Sequence, residues 1–151
     1  MRHLALALGF IIVAGCAAQA GDNQITDIPT NHTFPALVKR LDAAIKKHKM
    51  FVVTRASASI GAKRRGVSIP GNMVIGVYRN DFAVRMLAAS LPAGIEAPIR
   101  FYIWQAKNGK AVLSYRKPSD VFAPYKGGAK LTALAGELDA IFAAIARDAV
   151  K

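Results

Sequence analysis

The side chains of this 151-residue chain that could act on a substrate or hold an ion are few and scattered. His32 and His48 are the only histidines beyond the first twenty residues, and neither has Cys, Asp or Glu beside it at metal-ligand spacing. His48 falls near the end of a helical pattern, where an imidazolium is favoured by the helix dipole alone. Nine carboxylates supply no pair placed for acid–base work. Glu137 and Asp139 are two apart on a helix and point different ways. No Gly-rich loop follows a strand to cradle phosphate, and no Gly-x-Ser-x-Gly elbow exists. Ser57-Ala58-Ser59 reads as helix capping. No catalytic residue and no metal ligand is assigned, and an enzyme ranks last among the function classes.

Cysteine chemistry is confined to the leader. Met1-Arg2-His3 is a short basic region, and Leu4 to Val13 is an apolar run too short to span a membrane and of secretory-signal length. Two cleavage readings of residues 1–20 stand. Val13-Ala14-Gly15-Cys16 resembles a bacterial lipobox, in which Cys16 is lipidated and becomes the new N-terminus; Ala18-Gln19-Ala20 fits ordinary signal peptidase. The lipobox is favoured because Cys16 is the only cysteine and directly follows the apolar core. Either reading places the chain in a bacterial cell envelope, lipid-anchored (at the outer membrane if there is one) or periplasmic. A mature domain without thiols has no disulfide and no thiolate ligand.

The elements that must position everything else centre on Met73 to Tyr115. Met73 to Tyr78 is a short apolar strand, Asn80-Asp81 offers N-cap residues, and Ala83, Val84, Leu87, Ala88 and Leu91 follow at helical spacing. Leu91-Pro92-Ala93-Gly94 stops that helix. A strand from Ile99 to Lys107 meets Asn108-Gly109, the signal of a two-residue hairpin, and Ala111 to Arg116 returns antiparallel. Upstream, residues 21–32 are polar and read as a tether. Thr33 caps a helix with Pro35 in its first turn and an apolar stripe through Phe34, Leu37, Val38, Leu41 and Ile45. Met50 to Thr54 is a strand, and Ser57 or Ser59 caps a turn of helix ending at Gly66. Residues 118–125 read as irregular, and Gly127-Gly128 precedes a last helix with Leu131, Leu134, Leu138, Ile141, Phe142 and Ile145 on one face. The expectation is a single α+β domain, 33–151, in the order α-β-α-β-α-β-β-α, with one mixed sheet of about four strands packed with helices.

Val74 to Asn80, the helix to Leu91-Pro92, then Pro98 to Trp104 and an Asn-Gly hairpin together resemble the bacterial domain of unknown function 302 family, from about Phe34 to the C-terminus. Motif positions of that family fall here on Arg79-Asn80-Asp81, Ala97-Pro98 and Lys117-Pro118. Many members carry an Asp-His pair early in the second helix, where this chain has Ser57-Ala58. The resemblance implies a small α+β domain, often exported and self-associating, and brings no established activity.

Two places rise above this background. Arg79 and Asn80 meet a helix N-terminus, whose free N–H groups and dipole suit an anion. In the hairpin, a two-residue loop puts Ile99, Phe101, Ile103 and Val112 on one face and Arg100, Tyr102, Trp104, Leu113 and Tyr115 on the other. The second set is aromatic and amphipathic, suited to cover by a helix of the same chain, a second subunit or a ligand. The 21 lysines and arginines, less Arg2 in the leader, outnumber 9 acidic residues more than twofold. An exported basic surface meets anionic lipid or acidic envelope polymer, not nucleic acid. Two functions follow. One is a lipid-anchored, homodimeric binding or structural module, touching the membrane only through its anchor and its basic surface. The other is a small-ligand protein using the aromatic face, haem being the cofactor considered, with His48 or Tyr102 as axial ligand.

Overall fold

The computed structural model describes residues 24–151; Cys16, the leader and the first tether residues lie outside them. Five strands, β1 (Ile25–Pro29), β2 (Phe51–Ala56), β3 (Asn72–Tyr78), β4 (Ile99–Gln105) and β5 (Ala111–Arg116), form one sheet in the order β1-β5-β4-β3-β2. Every pairing is antiparallel. The helices are α1 (Phe34–Lys47), α2 (Ala58–Arg64), α3 (Asn80–Ala89), α4 (Pro118–Phe122) and α5 (Gly128–Val150). The α+β class and single sheet are as expected. The sheet has five strands and not about four, and it is not mixed, because α3 and a 3-10 helix at Leu91–Glu96 return the chain beside β3 antiparallel to it.

The fifth strand comes from the presumed tether. Ile25 to Pro29 pairs with β5 from Ile25↔Arg116 to Pro29↔Val112. Pro29 is tolerated because β1 is an edge strand and its last residue. Residues 118–125 are not wholly irregular either. Pro118 opens α4, where a missing N–H costs nothing, and Asp120 lies in the first turn.

Local chemistry fixes the ends of the helices as the sequence indicates. The Thr33 hydroxyl accepts from the Ala36 N–H at 3.4 Å and the Ser57 hydroxyl from the Ile60 N–H at 3.3 Å. Two C-termini close by the same pair of bonds. Met50 N–H reaches Ile45 O and Lys49 N–H reaches Lys46 O after α1; Val67 N–H reaches Ala62 O and Gly66 N–H reaches Lys63 O after α2. The left-handed residue is Gly66 in one (φ +75°) and Lys49 in the other (φ +57°).

One sheet face carries Ile75, Val77, Phe101, Ile103, Leu113 and Tyr115 against Leu37, Leu41 and Ile45 of α1 and Leu138, Phe142 and Ile145 of α5. Phe101 stacks on Phe142 with ring centroids 4.8 Å apart, and Tyr115 tilts against both. This corrects the expected hairpin. The Ala106 N–H donates to Lys110 O and the Ala106 carbonyl accepts from the Gly109 N–H, so the loop is Lys107-Asn108-Gly109, three residues with Gly109 at φ +79°. The register becomes Ile103↔Leu113 and Trp104↔Val112. A one-residue slip turns every side chain of a strand over. Leu113 and Tyr115 therefore belong to the core, and Val112 and Ser114 join Arg100, Tyr102 and Trp104 on the other face.

Candidate functional site

Arg79 and Asn80 lie together where β3 runs into α3, and the Arg79 guanidinium already has a carboxylate partner within the chain. Arg79, not Asn80, is the N-cap residue, and no side chain caps the helix. The Arg79 guanidinium donates Nε–H and Nη2–H to the two oxygens of Asp81 at 2.7 and 2.9 Å. The bidentate bond lowers the Asp81 carboxyl pKa and raises that of Arg79. One turn on, Arg85 holds Glu137 of α5 with bonds of 2.9 and 2.6 Å, lowering the Glu137 carboxyl in the same way. Both guanidiniums lie over the Phe82 ring, 4.3 and 5.4 Å from its centroid. The cations of α3 are thus matched one for one within the chain.

The helix-free sheet face keeps three of its five expected members. Tyr102 and Arg100 are exposed on it, and Trp104 is half-buried, its indole N–H donating to Ser114 Oγ at 2.9 Å. Ser114 in turn donates to Asp27 at 2.5 Å, which ties β4, β5 and β1 together across that face. Phe51, on the same face of β2, and Ile25 are also exposed. His48 is far from this surface in function. Its Nε2 lies 2.9 Å from Asp148, which also takes Lys47 at 2.8 Å, pinning the C-terminal ends of α1 and α5 together. A planar ligand on the aromatic face would find Tyr102 there and not His48. No group of three or more His, Cys, Asp and Glu placed to hold a metal occurs among the described residues.

A third region brings together more than the sequence suggested. At the end of α2, Ile60, Val67 and Ile69 are 48, 51 and 41% exposed and border a groove of about 540 Å³ with Phe34 and Lys63. Lys63, Arg64 and Arg65 form no ion pair among the described residues. The charges were visible in the sequence as a cluster; the apolar groove beside them was not. One signal pointed to it. Between Ala43 and Asn80 the chain has Lys46, Lys47, Lys49, Arg55, Lys63, Arg64, Arg65 and Arg79 but no Asp or Glu. Local neutralisation is therefore ruled out for α2, whereas Lys47, Arg55 and Arg79 find carboxylates outside this stretch, at Asp148, Asp42 and Asp81.

The family model for "Domain of unknown function DUF302" matches residues 26–148. Among solved structures, an uncharacterised conserved DUF302 protein from Bacillus stearothermophilus superposes with a TM-score of 0.71 at 17% identity, over 82% of this chain and 97% of that one. Similar curated proteins carry the name fluoride-specific ion channel FluC. FluC 1 of Brucella suis is 24% identical over 98 residues, which is 65% of this chain and 39% of that protein. FluC 2 of Brucella melitensis matches to the same extent over 36% of its length. The chain thus spans well under half of these relatives.

Proposed function

The chain belongs to the DUF302 family, and on that premise we propose that it is an exported, lipid-anchored binding module of the bacterial envelope. Cys16 is its acylated N-terminus, and the α2 end is its contact with anionic lipid. What carries the reading is the coincidence, at the end of α2, of three cations that are unpaired among the described residues with three exposed apolar side chains, Lys63 lining the same groove as all three. Each basic residue near an anionic leaflet contributes about 1 kcal/mol, and apolar burial adds to it. A lipid chain with a basic patch is the two-signal arrangement that gives stable attachment. No helix among the described residues is long and apolar enough to cross a membrane. The similarity to part of a channel protein supports a membrane setting for units of this type. Ala17 after Cys16, in place of Asp, favours transfer to an outer membrane where one exists. Membrane fractionation and intact mass test the anchor. A diacylglyceryl-bearing product from Cys16 is expected; a soluble product beginning at Gly21 would overturn it.

A second reading concerns self-association. The helix-free face exposes Tyr102 near half-buried Trp104, with Phe51 and Ile25 exposed towards the other end of the sheet, an apolar surface of the kind that marks an interface. A homodimer closing there puts Trp104 near its centre, where aromatic residues dominate binding. Trp104→Ala should then give a folded monomer by light scattering and circular dichroism. An unchanged dimer, or loss of the fold with loss of the dimer, would contradict the assignment.

A further inference from the structure

β4 and β5 are paired from Gln105↔Ala111 to Phe101↔Tyr115, and β5 ends one residue on, at Arg116. Beside that end lies a cleft of about 330 Å³. Arg100 of β4 and Arg116 of β5 both line it, with Tyr102 and Ser114, a paired rung of the same two strands. Ile99 and Val121 supply apolar lining.

We infer that this cleft binds a small monocarboxylate with an apolar body. Neither arginine is committed elsewhere. Arg116 has no ion pair among the described residues, and Arg100 has only Glu96, at 3.9 Å, while remaining 63% exposed. Glu96 also accepts from the Tyr125 hydroxyl at 2.6 Å, which raises the Tyr125 pKa and keeps that phenol a donor to the carboxylate. Of the charged groups that line the cleft, two are guanidiniums and one is a carboxylate, while the Asp27 carboxylate lies behind Ser114, which donates to it. That balance suits a monoanion and leaves a phosphate dianion undercompensated. Guanidinium forks match carboxylate geometry, which fixes the head of the ligand. Ile99, Val121 and the Tyr102 ring receive its body. The volume lies at the small end of the range for ligand sites, about 300 Å³ upward, so the body is no larger than one ring or a short branched chain.

The chain contains its own reporter. Trp104 is the only tryptophan, and its N–H donates to Ser114, whose side chain borders the cleft. The site lies at the end of the sheet away from α2, so it stands or falls separately from the lipid contact. The test is a titration of the domain with benzoate, phenylacetate and isovalerate, followed by Trp104 fluorescence and calorimetry. Benzyl alcohol and phenyl phosphate serve as controls, and light scattering follows oligomeric state. At least one carboxylate should saturate, both controls should bind at least tenfold more weakly, and Arg116→Gln should weaken binding tenfold or more. Arg116→Lys should recover part of it. Both arginines are exposed, so circular dichroism of the variants should match the parent. No saturable binding by any carboxylate, equal binding of the phosphate or alcohol, or an Arg116→Gln variant that binds normally would each overturn the site.

Discussion

The cations of α3 and those at the end of α2 look alike in the sequence and differ entirely in use. Arg79 and Arg85 are turned inward on the molecule's own chemistry, each holding a carboxylate bidentately and both lying over Phe82. Lys63, Arg64 and Arg65 have no carboxylate partner among the described residues and stand beside exposed Ile60, Val67 and Ile69. The lesson is that net charge says little until the partner of each charge is found. Arg79 closes on Asp81 of its own helix and Arg85 fastens α3 to α5; uncommitted cations beside apolar surface are available to an outside partner.

The largest effect that sharpens this contrast comes from the ring between the two spent arginines. Phe82 is buried and Ile60 half-exposed. Phe82→Ala should cost about 3 kcal/mol in chemical denaturation, as large-to-small core changes do. Ile60→Ser should leave stability within about 0.5 kcal/mol while weakening lipid binding. Equal stability losses would make the α2 patch a structural element after all.

Carboxylates matched by cations should also show in acid. Asp148 takes Lys47, His48 and Lys151, and its carboxyl is held well below the ordinary carboxylate range. A folded-state pKa below the unfolded one contributes stability above about pH 4 that is lost as pH falls through the folded value. Asp148→Asn should therefore lower the melting temperature at neutral pH and show a shallower fall in acid than the parent. Parallel curves would remove Asp148 from the account. The α2 cations, having no such partners, predict no comparable acid limb for Lys63→Gln.

The smallest expected effect concerns the two helix ends built alike. Lys49→Gly should stabilise the fold by about 1 kcal/mol, by removing a side chain from left-handed backbone. Gly66→Ala, with open space around the new methyl, should destabilise by about the same amount through backbone strain alone. Denaturant midpoints measure both, and shifts of the same sign would contradict the matched geometry.

Much of this was legible in the residues. Thr33 and Ser57 as caps, the stripes of α1 and α5 and the strands of the central unit follow from local pattern. β1 did not, because Ile25-Thr26-Asp27-Ile28-Pro29 becomes a strand only by pairing with β5, some ninety residues away. The hairpin register was misread from its turn, although β5 itself carried the better signal: Ala111, Leu113 and Tyr115 are apolar at alternate positions while Ser114 and Arg116 are polar. At the candidate anion site, the carboxylate that the Arg79 guanidinium holds lies two residues on, in Asp81. The Arg85–Glu137 bond spans 52 residues and has no local trace. The cleft at the end of β5 is likewise a product of register and not of any motif.

The measurement that bears most directly on the account is co-sedimentation of the domain from Asp22 to Lys151 with vesicles, with and without anionic lipid, across a salt series. Beside it runs the variant carrying Lys63→Glu, Arg64→Glu and Arg65→Glu. The account predicts retention on anionic vesicles only, release as salt rises to roughly 0.3 M, where the Debye length falls to about 5 Å, and no retention of the folded triple variant. Equal retention of parent and variant, or no retention of the parent at low salt, would contradict it.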